Sequence, residues 1–290
     1  MRQEENMKLQ WKDPAAPKPQ VRQKEGVTWL SYPVLERAPG VKNAFSTREG
    51  GVSEGIWSTM NLSYTRGDDP EHVTENFRRF AKAVGFRPED IVTSDQTHTT
   101  NIRRVTEKDR GSGITRERSF HDIDGLITDT PDVVLATFYA DCVPLYFVDP
   151  VHRAIGLSHS GWRGTVNKMG AATIKAMQET FGTDPADLLT AIGPSICQDC
   201  YEVSEDVIDR FRTAFPEELH TRLFYRKPNG KYQLNLWEAN RQILLASGVP
   251  ASRIQMPNLC TCCNPHALFS HRATQGRRGN LAAFLWLEKR

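Results

Sequence analysis

Between positions 125 and 159 the chain passes through four apolar segments in quick succession, 125–128, 133–139, 145–148 and 154–159. Each is rich in β-branched, aromatic or aliphatic residues. Runs of that length and composition form strands in the middle of a sheet, so this stretch is committed to a β core. Further strands are predicted at 27–30, 41–45 and 281–287, bounded by Pro, Gly or polar residues. Helical spacing appears between them. Val73, Phe77, Phe80 and Val84 share one face behind Asp69-Pro70, with Gly85 at the stop position. A second helix is expected over 165–181, ending at Gly182, and two more follow Ser204 and Asn235 as N-caps. Strands and helices do not alternate strictly, which predicts an α+β fold: a single compact domain with mixed β-sheets flanked by helices. Residues 1–25 are polar, contain Pro and show no period, so they read as a flexible arm ahead of a body at 26–290.

Bulk properties narrow the function by exclusion. The 37 Lys+Arg against 35 Asp+Glu leave a charge of +2, without the basic surplus that a nucleic-acid scaffold needs. The most apolar stretch, 133–148, is interrupted by Asp141 and Pro144 and falls short of the roughly 20 apolar residues of a membrane span. The N-terminal residues mix both charges and lack an apolar core, so no secretory signal is expected. A cytoplasmic protein with reduced thiols follows, and each of its six Cys becomes a candidate for burial, metal binding or chemistry.

Three ligand-type side chains lie at the end of a predicted strand or in a short polar loop beside one: His98, Cys142 and His159. Two imidazoles and a thiolate would make a three-ligand zinc site with its fourth position open, the arrangement of a catalytic metal. The alternative is a metal-free hydrolase in which Cys142 is the nucleophile and His98 or His159 the base. A second cluster, Cys197-x-x-Cys200 with Cys260-x-Cys262-Cys263, invites a structural zinc reading. It departs from the repeated C-x-x-C of zinc ribbons, and buried or half-buried free thiols are the expectation. Gly161-Trp162-Arg163-Gly164 joins a strand to a helix N-terminus, where free amides favour an anion. Arg48 and the Ser270-His271-Arg272 segment are further anion candidates.

Taken together and in order, the segments resemble the laccase-domain family, also called polyphenol oxidoreductase-like proteins. The resemblance runs from Asn43 to Leu287. It rests on Phe45-Ser46-Thr47-Arg48-Glu49-Gly50-Gly51, Met60-Asn61-Leu62-Ser63, Gln96-Thr97-His98, Asp124-Gly125-Leu126-Ile127-Thr128-Asp129, Ala140-Asp141-Cys142-Val143-Pro144, His159-Ser160-Gly161-Trp162-Arg163-Gly164, Cys200-Tyr201-Glu202-Val203 and Phe269-Ser270-His271-Arg272. Members of that family are similar to zinc-dependent purine nucleoside phosphorylases. The resemblance implies that His98, Cys142 and His159 hold a zinc ion. It also implies phosphorolysis of adenosine, guanosine, inosine or methylthioadenosine, with adenosine deamination at the same site. Two departures stand out: Thr99 where the family commonly has Gly, and Asp199-Cys200 where it has paired Cys. The second argues that neither Cys197 nor Cys200 is a required ligand.

The implied chemistry suits these residues. Deamination needs a hydroxide at the purine C6, which zinc supplies near neutral pH by lowering the pKa of its water. Phosphorolysis needs phosphate placed at the ribose C1′ and polarisation of the departing purine. Asp141 is the candidate for acid/base work, with a ligand-orienting role as its alternative. Arg48, Asn61, Gly161, Arg163 and Gly164 are the candidates for holding phosphate or substrate. True multicopper oxidation would require clustered His-x-His pairs, and no two of the eight His are two apart. Copper could still substitute for zinc at the three ligands. The expected partners are a purine nucleoside and phosphate, with no nucleic acid and no membrane, in a monomer or homodimer. A copper-binding polyphenol oxidoreductase and a binding or editing protein of envelope precursors are the remaining alternatives.

Overall fold

The strand Leu281–Leu287 is buried at every position, and its two faces meet different layers. Leu281, Ala283, Leu285 and Leu287 point into one core cluster, whereas Ala282, Phe284 and Trp286 point into another. A strand covered on both sides has no use for polar alternation, which is why it reads as one continuous apolar run. A computed structural model describes residues 7–289 of the chain.

Two six-stranded sheets form the body. The first runs in the order Gln20–Lys24, Val27–Ser31, Val41–Ser46, Leu281–Leu287, Val134–Tyr139 and Ile91–Thr93. The second runs Ile254–Gln255, Leu189–Ile192, Val143–Asp149, Ala154–Ser160, Gly125–Thr128 and Ile102–Arg104. Both mix parallel and antiparallel pairs, as in the parallel Ile91–Thr93 beside Val134–Tyr139 and the antiparallel Val143–Asp149 beside Ala154–Ser160. Their facing sides interlock through Leu30, Phe45 and Leu135 from one sheet and Tyr146, Ile155 and Leu157 from the other. Helices cover the outer faces. Pro70–Val84 lays Val73, Phe77 and Phe80 on the first sheet, and Met169–Phe181 with Leu236–Ala246 covers the second. The α+β expectation therefore holds as a helix–sheet–sheet–helix sandwich. A three-stranded sheet of Glu202–Val203, Tyr232–Leu234 and Phe224–Arg226 lies at its side.

The local signals act as their chemistry dictates. Asp69 accepts a hydrogen bond from the Glu71 amide at the start of its helix, and Gly85 ends it in the left-handed region at φ 105°. The helix expected over 165–181 is two helices, Trp162–Val166 and Met169–Phe181, parted at Lys168, whose φ of 61° no helix interior accommodates. The N-terminal stretch also differs from expectation. Residues 1–6 lie outside the described residues, whereas the rest is bound to the body through main-chain groups. Gln20–Lys24 pairs with Val27–Ser31, Trp11 bridges Leu259, and the Gln10 amide donates to Asn264 Oδ1 at 2.7 Å. Polar sequence hides such attachment, because backbone hydrogen bonds carry no side-chain signature. Among the described residues no helix is long and apolar enough to cross a membrane.

One end of the sandwich concentrates the crossings between sheets. Ala140, Asp141 and Cys142 carry the chain from Val134–Tyr139 in the first sheet straight to Val143–Asp149 in the second. The loop 94–101 makes the same crossing from Ile91–Thr93 to Ile102–Arg104. Asp141, at φ 90°, and His98, at φ 67°, hold left-handed conformations in these crossings. Non-glycine residues rarely adopt them without a local role. His159, next to last in Ala154–Ser160, pairs with Pro144 at the same end.

Candidate metal centre

The two crossings and the strand end bring His98, Cys142 and His159 together. One ligand atom from each lies within 4.8 Å of the others, and the two imidazole rings stand 5.0 Å apart, nearly perpendicular. His98 is exposed, Cys142 half-buried and His159 buried, so the group opens to solvent on one side. Gly161 makes room for it. A Cβ there would stand 3.0 Å from Cys142 Sγ and 3.1 Å from a ring carbon of His98, closer than ordinary contacts. This positions Gly161 in the wall of the group, and Gly164 packs behind it against the His159 carbonyl.

Asp124 organises two of the three side chains. It is fully buried. Its Oδ1 lies 2.8 Å from His159 Nδ1, which leaves Nε2 for the centre of the group. Its Oδ2 accepts from the amides of Thr97 at 3.0 Å and Thr99 at 2.8 Å, clamping the turn that presents His98. The Thr99 hydroxyl donates to the same oxygen at 3.0 Å, so the departure from Gly at this position adds a contact to the clamp. Asp124 opens the Asp124-Gly125-Leu126-Ile127-Thr128-Asp129 segment, yet nothing in the sequence marks it as the residue that links His98 and His159. The signal that finds it is an acidic side chain at the start of a strand neighbouring a ligand strand.

The electrostatics follow from this packing. Burial opposes ionisation of Cys142, but the charge and hydrogen bonds of His159 and His98 outweigh it and bring the thiol from 9.0 down to about 6. Burial likewise opposes charging of His159. The Cys142 thiolate and the Asp124 carboxylate prevail and raise the imidazole from 6.5 to about 9. Without a metal, the pair is a thiolate beside an imidazolium. Two imidazoles and a thiolate suit a thiophilic divalent ion with a position left open.

The other residues singled out in the sequence have four different settings. Asp141 has both oxygens engaged: Thr261 Oγ1 donates to Oδ1 at 2.6 Å and the Arg272 amide to Oδ2 at 2.7 Å. Arg48 is directed away from the group. Its Nε donates to the Ser58 carbonyl at 2.9 Å, its Nη1 to the Pro265 carbonyl at 2.6 Å, and it stacks on Phe269. Asn61 is fully buried. It accepts from the Asn280 amide at 2.9 Å and donates to Asp68 at 2.8 Å, bracing a wall rather than facing a ligand. Arg163 is exposed and lies over Trp162 at the start of a helix of five residues.

A cavity of about 430 Å³ opens over His98, Cys142 and His159, a size that suits a small-molecule ligand. Tyr64 and Phe138 give it an aromatic side, each packed against Phe77 from behind. Arg278 gives it a positive one, with only 7% of its surface exposed. Its Nη1 bonds the Asn280 side chain, while its Nε has no hydrogen-bond partner in the protein. Burial and then the neighbouring Arg66 bring its pKa down to about 10, and at neutral pH it stays charged. Arg278 escaped the sequence reading because an arginine in a Gly-rich segment looks like a solvated surface charge.

Residues 42–288 match the family model described as multi-copper polyphenol oxidoreductase laccase. A Geobacillus stearothermophilus protein named purine nucleoside phosphorylase YlmD is 38% identical over 269 residues, covering 92% of this chain and 97% of its own. A protein from an unknown prokaryotic organism, named adenosine deaminase RL5, is 34% identical over 231 residues, 79% of this chain and 87% of its own. The crystal structure of YlmD from Geobacillus stearothermophilus superposes with a TM-score of 0.86 at 36% identity, over 93% of this chain and 100% of that one.

Proposed function

The chain belongs to the multi-copper polyphenol oxidoreductase laccase family, and on that footing we propose that it is a zinc-dependent purine nucleoside phosphorylase that also deaminates adenosine. The observation that carries this reading is the make-up of one cavity: a two-imidazole, one-thiolate group at its base, an aromatic side, and a largely buried arginine in its lining. The names of the relatives support the same pair of activities.

Each feature has a use in that chemistry. Tyr64 and Phe138 offer faces for a purine ring. Arg278 would hold phosphate, in place of Arg48, whose donors are taken by Ser58 and Pro265. Asp141 acts by position: its carboxylate ties Thr261 and Arg272 to the crossing that carries Cys142, which favours the orienting role over acid/base work. Zinc, when bound by His98, Cys142 and His159, supplies Lewis acidity and a reactive water at neutral pH. Copper would fit the same donors. Multicopper chemistry would need additional clustered imidazoles, and this group has only two.

The deciding experiment is product analysis with adenosine. With phosphate, adenine and ribose 1-phosphate are expected; without phosphate, inosine. Absence of all three products removes the proposal. The thiolate–imidazolium pair also suits a metal-free cysteine hydrolase. Turnover that survives removal of metal and stops on alkylation of Cys142 would favour that enzyme instead.

Zinc binding should carry a characteristic pH dependence. Above pH 6 Cys142 is already a thiolate, and below pH 9 His159 still holds the proton that a metal must displace. Zinc affinity is therefore expected to rise about tenfold per pH unit across that window and to level off above it. Activity regained in zinc-buffered solutions reads it. A flat response between these limits contradicts the proton inventory.

A further inference from the structure

Beside the Cys142 crossing, the structure gathers four other thiols, which from sequence are expected to be free Cys. We propose that Cys197, Cys200, Cys260 and Cys263 bind a second, structural zinc ion, independent of the one in the cavity. Their sulfur atoms all lie within 4.8 Å of one another. Cys263 Sγ stands 4.0 Å from Cys197 Sγ and 3.5 Å from Cys200 Sγ. Four sulfurs about 2.3 Å from a tetrahedral zinc must be about 3.8 Å apart, so the thiols already have the required spacing. They are far beyond the roughly 2.05 Å of a disulfide.

The spacing along the chain is that of paired knuckles once Cys262, which is not in the group, is set aside. Cys197-x-x-Cys200 faces Cys260-x-x-Cys263, a C-x-x-C at both ends. Each pair sits on a tight turn. Cys197 caps the short helix Gln198–Cys200, and the amides of Cys197 and Cys263 converge on Cys260 Sγ at 3.2 and 3.4 Å. Amides aimed at a sulfur stabilise a thiolate. Four thiolates around one divalent ion leave two negative charges. Lys12, fixed by Asp199 at 2.6 Å, stands within electrostatic reach of Cys197 and Cys263. Binding would displace to solvent whatever thiol protons remain and involves no oxidation.

The cluster ties two loops to the cavity. Thr261, between two of the ligands, is the residue whose hydroxyl holds Asp141, next to Cys142. Its amide donates to the Ser195 carbonyl, and the Ile196 amide donates to the Asp141 carbonyl. The second zinc is therefore a fastening for the loop that positions Cys142, with no group of its own facing substrate.

Metal counting on the full chain tests it. The unaltered protein, purified without added metal and saturated with zinc, is expected to hold two ions per chain by elemental analysis. His159→Ala and Cys200→Ser should each hold one. Replacing zinc by cobalt in His159→Ala should give the sulfur-to-cobalt charge-transfer bands and strong red absorption of a tetrathiolate site, lost when Cys200→Ser is added to His159→Ala. One ion per chain in the unaltered protein that disappears with His159→Ala overturns the proposal. One ion that survives His159→Ala and disappears with Cys200→Ser upholds it while removing the cavity metal. If Cys200→Ser fails to fold, the cobalt spectrum of His159→Ala decides: bands without sulfur charge transfer overturn the proposal.

Discussion

Replacing His159 by alanine is expected to empty the cavity of metal and to lower adenosine turnover by more than about 100-fold, beyond the 10–100-fold typical of a lost outer partner. His159 is 4% exposed, and its ring is set by the 2.8 Å contact with Asp124. Its removal leaves only Cys142 and the exposed His98, too few donors for a divalent ion in competition with water. His159→Gln separates chemistry from folding, because its amide can still donate to Asp124. Both variants should lose metal. Asp124→Asn forms the graded comparison. It keeps all three ligands but takes away the charge that sets the His159 ring and the acceptor that holds Thr97 and Thr99 around His98. Zinc affinity should fall about 10–100-fold, with turnover recovered at saturating zinc. Full metal content and activity in His159→Ala would end the assignment of the cavity as the reactive centre.

His98, Cys142 and His159 were legible as candidates because each stands at a strand end or in a short loop beside one, and strands were legible from apolar runs. What joins them was not. The pairing of Leu281–Leu287 with both Val41–Ser46 and Val134–Tyr139 closes the first sheet across most of the chain, and no local pattern encodes a partner at that separation. Side-chain surroundings were not legible for a related reason. Arg48 and Asn61 lie in conspicuous polar motifs, yet their donors are absorbed by Ser58, Pro265 and Asp68. Composition cannot tell a polar group that braces a loop from one that meets a ligand, because both are needed wherever backbone leaves a sheet. Among the cysteines, Cys262 disguised the C-x-x-C formed by Cys260 and Cys263. Only the folded loops show that Cys260 and Cys263, without Cys262, face the same point as Cys197 and Cys200.

Arg278 offers the sharpest separation of the two activities. Phosphorolysis consumes phosphate and deamination does not, so a residue that serves only phosphate should divide them. The guanidinium is buried, still charged, and short of a partner at Nε. The residue lines the cavity, and its charge there would draw a phosphate oxygen. A hydrogen bond to a charged group contributes about 1.5–3 kcal/mol, equivalent to roughly a 10–150-fold change in binding. Arg278→Ala is expected to raise the KM for phosphate by about that factor while the conversion of adenosine to inosine without phosphate stays near its original rate. Arg278→Lys keeps the charge but loses the planar fork, and should recover part of the loss. An equal fall in both activities would make Arg278 a wall of the cavity rather than its anion site. An unchanged KM for phosphate would move the anion to Arg66, another arginine that lines the cavity.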